Sequence, residues 1–233
     1  MIPKEWKTKL VNGTRSNKNI SKNYLIEKMH CIGKVSKFIY QMLIETNVKG
    51  QSNVKSKWME ELNVAIEDEY WSECFCQIYQ CTISSNIRIF QYKFLHRIIF
   101  TNYRLHKMKI AESAMCSFCN EVNETLVHFF WDCNITQHFW TEVFNWLKSM
   151  LQISIAFSKC DTLLGVNHKQ NLIWSLIFVV GKKYLFKCKV NNSRPSIESF
   201  KGVIKDLETI EYHLAIKNNK INSHRRKWNE IKF

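Results

Sequence analysis

CSFCNEVNETLVHFFWDC, residues 116–133, places three cysteines and one histidine in the order Cys-x2-Cys-x8-His-x4-Cys. Two cysteines separated by two residues chelate one metal ion from a tight turn, and a second pair beyond a short loop completes a tetrahedron. Cys116, Cys119, His128 and Cys133 supply three thiolates and an imidazole, a soft donor set that suits zinc over magnesium or calcium. Four protein ligands leave no open position for an activated water, so the ion expected here is a structural Zn2+. Asn120 follows the second cysteine, where the chain must turn. Spacing alone keeps a competing set open, because His138 lies five residues after Cys133. In that case His128, among Leu126, Val127, Phe129, Phe130 and Trp131, is a core residue.

The rest of the chain sets the context. Of 233 residues, only 2 are prolines and 6 are glycines, which favours long helices over tight turns. Apolar residues recur at helical spacing over 25–43, 58–80, 87–100, 135–151, 171–186 and 196–219, with Ser196 placed to cap the last. The fold class expected is all-α, a helical bundle with an inserted CCHC zinc knuckle. Three regions follow: a basic N-terminal segment with one helix at 1–54, a helical segment with the knuckle at 55–151, and a basic helical region at 152–233. His224 to Trp228 reads as a basic tail with one aromatic.

Nine cysteines is an odd number, and Met1 to Lys7 contains no apolar signal core, so reduced thiols and an intracellular protein of nucleus or cytoplasm are expected. The apolar run Leu172–Val180 is too short to cross a bilayer, which predicts a buried helix and no membrane partner.

The net charge is +14, which suits a polyanion. The excess is uneven: residues 88–115 hold 6 basic and 1 acidic residue, while 116–160 hold 2 and 4. Arg88, Lys93, Arg97, Arg104 and Lys107 form a basic line just before the cysteines, with Lys93 and Arg97 four apart on one helical face. They are the residues expected to contact phosphates of RNA or DNA. No phosphate-cradling loop, HExxH or paired-aspartate motif is present, so no catalytic residue is assigned and an enzyme is not expected.

The run from Phe90 to Val143 resembles the reverse transcriptase zinc-binding domain of LINE-type (non-LTR) retrotransposon polyproteins. It has that domain's apolar-basic helix, CxxC, His-x4-Cys within aromatics, and Trp-rich helix. The flanks 58–79 and 200–228 look similar too. The resemblance implies Cys116, Cys119, His128 and Cys133 as the metal ligands. It also implies a non-catalytic part of a parent that copies RNA into DNA, gripping RNA or target DNA. The competing expectation is a zinc-stapled interaction domain that docks on the polymerase part of such a parent through Trp131, Trp140, Trp146 and Trp174.

Overall fold

The structure, a computed structural model, describes residues 51–151, 157–166, 172–229 and 231. The chain divides into two units, Met1–Ser52 and Asn53–Phe233. The helix expected at 25–43 and nearly all of the basic segment 1–54 lie outside the described residues.

Among the described residues the regular elements are helices, as expected, and the only strand-like feature is an isolated antiparallel bridge between Met115 and Asn123. They are α1 (Gln51–Leu62), α2 (Asp68–Cys81), α3 (Ser85–Leu95) and α4 (Asn102–Lys107). The cysteine–histidine segment follows and ends in a π turn, His128–Asp132. Then come α5 (Asn134–Leu151), α6 (Lys159–Leu163), α7 (Leu172–Val190), α8 (Ile197–Lys217) and α9 (Ile221–Trp228). No helix among the described residues is long and apolar enough to cross a membrane.

Helix ends explain most departures from the sequence expectation. The periodic stretch 58–80 is two helices, because Asn63 at φ 52° turns the chain after α1. Its N–H and that of Val64 close back on the carbonyls of Glu60 and Met59. Asparagine tolerates this left-handed conformation better than other non-glycine residues, and Asn192 and Asn219 do the same after α7 and α8. In a chain with 6 glycines, asparagine takes over the helix-ending role. Ser196 caps α8 as expected, its hydroxyl accepting from the Ser199 N–H at 3.3 Å.

α7 is the central element. Ile173 to Lys182 are all buried, and α2, α3, α6, α8 and α9 pack around it. Gly181 admits α5: a Cβ there would meet the Trp140 ring at 2.6 Å. Phe139, Trp140, Phe178 and Phe200 interlock where α5, α7 and α8 meet. The C-terminal basic stretch is not a tail but α9, folded back onto α8. Glu211, which interrupts the apolar stripe of α8, is the reason. Its buried carboxylate accepts from Thr82 Oγ1 at 2.8 Å, Lys227 Nζ at 2.5 Å and Trp228 Nε1 at 3.0 Å.

Lys182 is fully buried in the middle of α7. Its ammonium donates to the Leu163 carbonyl at 2.5 Å and sits 4.4 Å from the centre of the Phe94 ring. Burial pushes its pKa down to about 7. The unfolded chain therefore holds this proton up to higher pH than the folded chain, and folding gains stability as pH rises from about 7 toward the usual lysine range. Replacing Lys182 with methionine is expected to raise the urea midpoint most below pH 7. The advantage over wild type should shrink steadily toward pH 10, as measured by paired denaturation curves.

Candidate metal centre

Two short turns build the site. In the first, the Cys116 N–H donates to the Val122 carbonyl at 2.8 Å, and the Asn120 N–H closes on the Cys116 carbonyl at 3.0 Å. Asn120 takes φ 56°, which completes the turn anticipated after the CxxC. In the second, the Cys133 N–H reaches back five residues to the His128 carbonyl at 2.8 Å. That bond defines the π turn, and it draws the two residues of His-x4-Cys onto one side. The carbonyls of Phe129 and Phe130 find other donors: Thr136 Oγ1 at 2.8 Å and Trp140 Nε1 at 2.9 Å, both from α5.

The turns bring Cys116, Cys119, His128 and Cys133 together, their donor atoms all within 4.8 Å of one another. Cys116 Sγ lies 3.9 Å from Cys133 Sγ, and Cys119 Sγ lies 3.4 Å from His128 Nε2. A zinc tetrahedron with ordinary bond lengths has sulfur–sulfur edges of about 3.8 Å and sulfur–nitrogen edges of about 3.5 Å. The donor set therefore fits a zinc-sized tetrahedral ion through Nε2 of the histidine. His138 stands apart, 78% exposed on α5 and 3.9 Å from Glu142. The structure thus gathers the first of the two sets that spacing left open.

Without metal, burial pushes the Cys116 thiol up to about 12. Burial acts upward on Cys119 as well, but the backbone N–H groups of Glu121 and Val122 outweigh it and lower its pKa. Metal binding would displace the Cys116 proton, so affinity falls with acid.

Glu124 fastens this segment to the bundle, and nothing in the sequence marked it. Its carboxylate is fully buried and accepts from Asn102 N at 2.8 Å, Ser117 N at 2.8 Å and Ser117 Oγ at 2.7 Å. It also pairs with Lys189 from the end of α7. Asn102 adds bonds to the Met115 carbonyl at 2.8 Å and Ser117 Oγ at 3.0 Å. Phe118 packs on Phe129 with ring centres 4.8 Å apart, so its ring is held within the fold.

The basic residues divide. Arg88 donates to the carbonyls of Thr82 at 2.7 Å and Tyr79 at 3.1 Å, bracing the end of α2. Arg97 does not share a helical face with Lys93, because α3 ends at Leu95 and Arg97 turns away at φ 57°. It pairs with Glu61 and lies 4.6 Å over the Trp58 ring. Arg104 donates to the Arg97 carbonyl at 2.7 Å. Lys93 and Lys107 are exposed. Lys107, Arg97, Arg104, Lys57 and Tyr103 line a groove of about 580 Å³ that runs past Thr125 and Leu126 and also takes in Glu60 and Glu61. The tryptophans do not make a docking face: Trp140 and Trp174 are buried, and Trp131 and Trp146 are half-buried.

His128→Ala is expected to abolish stoichiometric zinc binding, read by metal analysis after dialysis, while His138→Ala retains one ion per chain. Glu124→Gln leaves Lys189 without its charge partner and is expected to cost about 3–5 kcal/mol of stability, read by chemical denaturation of the metal-loaded protein.

Residues 52–140 match the family model described as zinc-binding in reverse transcriptase. The match takes in the acidic-aromatic stretch at 58–79 and the whole cysteine–histidine segment, and it ends within α5, before the similarity expected at 200–228. The family is an accessory zinc-binding domain and not a catalytic one. Residues 52–140 thus match the reverse transcriptase zinc-binding family that the motif resembles.

Proposed function

We propose that this chain is a zinc-stapled, nucleic-acid-binding accessory module of a non-LTR retrotransposon reverse transcriptase, which grips RNA or DNA through its phosphates. Zinc, when bound, ties four side chains into one rigid unit and supplies no reaction chemistry. The chain's own residues do the rest. Glu124 and Asn102 hold the start of α4 against the cysteine turn, so α4 has a fixed direction. Arg104 links the grooves on either side of it.

The observation that carries this reading is the exposure of Lys107 and Lys93 on α4 and α3, within a chain of net charge +14. Lysines of this kind make sequence-independent phosphate contacts that release counterions and weaken with salt. Arg88, Arg97 and Arg104 act chiefly as braces of the fold that places these lysines.

Fluorescence anisotropy of a single-stranded RNA, titrated with zinc-loaded protein across a salt series, tests the reading. Wild type is expected to bind with a steep salt dependence. The Lys93→Ala/Lys107→Ala variant should keep its melting temperature and lose about 1.4 from the slope of log K on log salt, from two contacts at about 0.7 each. No binding at low salt by folded, metal-loaded protein would sink the proposal.

A further inference from the structure

An open groove of about 1080 Å³ runs between α3, the turn before α4, α7 and α8. Ile89, Ile98, Phe100, Val190 and Ile210 line it and are between 41% and 64% exposed. Contiguous apolar surface of this kind marks an interaction site rather than ordinary exterior. α8 shows why. Its inward stripe, Phe200, Ile204, Glu211 and Ala215, is buried against the bundle. A second stripe, Val203, Leu207 and Ile210, faces the groove. Val203 and Leu207 are only partly covered and Ile210 is exposed, so among the described residues this stripe has an incomplete neighbour.

Charge identifies the other. Lys93, Arg104, Lys183 and Lys187 stand around the groove, against Asp206 as its one acid. Burial, with a contribution from neighbouring Lys187, lowers the pKa of Lys183, a strain that an incoming carboxylate would relieve. The groove is open, and its volume lies at the upper edge of the range of small-molecule sites, about 300–1000 Å³. Of its lining rings only Phe100 is exposed, so it lacks the aromatic platforms on which unpaired bases stack. Residues 1–50 hold 10 basic and 3 acidic residues, the wrong sign for this rim. We propose that the groove receives an amphipathic helix of a partner protein, with aliphatic residues on the seated face and carboxylates along its edges. Seating apolar anchors in a groove while edge charges set orientation is a general mode of helix recognition.

The full chain, loaded with zinc, is titrated into a labelled helical peptide of about 18 residues, roughly 27 Å long, that carries leucines at i, i+3, i+4 and i+7 flanked by glutamates. A second peptide keeps the leucines and replaces the glutamates with lysines. The acidic peptide is expected to bind and the basic one not. Ile210→Glu should weaken binding at least about tenfold by placing a carboxylate in the apolar contact. Lys187→Glu should weaken it and flatten its salt dependence. Thermal melts check that both variants fold; should Ile210→Glu fail to fold, Ile89→Glu replaces it. Failure of the acidic peptide to bind, equal binding of both peptides, or indifference to the substitutions overturns the proposal. So does displacement of the peptide by single-stranded RNA together with loss of RNA affinity in Ile210→Glu, which would assign the groove to nucleic acid. Wild-type RNA affinity is measured separately, so failure of the nucleic-acid reading is distinguishable from failure of this one.

Discussion

A single buried carboxylate, Glu124, holds three distant parts of the chain in register. A carboxylate out of water is costly, by several kcal/mol, unless donors surround it. Here they come from the first residue of α4, from the cysteine turn, and from the last turn of α7. A metal ion bound by Cys116, Cys119, His128 and Cys133 would rigidify only residues 116–133. Through Glu124 that rigidity passes to α4 and to α7, around which the bundle is packed. Lys189 makes the link two-sided, since it also lies over the Phe129 ring inside the cysteine–histidine segment.

The spacing His-x4-Cys has its own backbone cause. In an α-helix two residues five apart point about 140° away from one another around the axis. The i to i+5 bond from Cys133 to His128 widens that turn and brings both side chains to one side. Widening frees carbonyls that an α-helix would have used, and in a buried segment these must be satisfied. Thr136 and Trp140 do so, one turn and two turns into α5. The aromatic run around the histidine therefore has two duties. Phe129 and Phe130 fill the core beneath the site, while their carbonyls anchor the following helix.

What the sequence revealed and what it hid differ by the range of the contact involved. The metal donors were legible because Cys-x2-Cys and His-x4-Cys are local constraints. So were the all-α class, the extent of α5 and the cap at Ser196. The break at Asn63 was missed because apolar residues keep helical spacing across it, and the periodicity of two helices merged into one. The α9 segment reads as a tail in the sequence because its partner, Glu211, stands earlier in the chain and gives no local sign of pairing with it. Lys182 stands two residues beyond the apolar run Leu172–Val180, where sequence alone does not mark it as buried. It is in the core, where the Leu163 carbonyl and the Phe94 ring, both brought by other elements, help make it tolerable. Glu124 carried no local signal at all, since three of its donors belong to residues chosen for other turns.

Net charge alone does not tell which basic residues the fold engages. Arg88, Arg97 and Arg104 were grouped with Lys93 and Lys107 by sign and spacing. Their chemistry separates them. A guanidinium offers several donors in a fixed fork and stacks on rings, which makes it an effective clasp for helix-end carbonyls. Arg88 clasps the end of α2 over Tyr79, and Arg104 clasps the turn at Arg97 beside Phe100. Arg97 lies on Trp58 and pairs with Glu61. A lysine ammonium is a strongly hydrated point charge on a flexible stem, suited to a mobile phosphate. Division of labour among these five follows from that difference: the three arginines close joints between helices, and Lys93 and Lys107 remain in water. A polyanion meeting this surface would thus encounter charges whose neutralisation need not disturb the fold, because the cations that hold the fold together are already engaged.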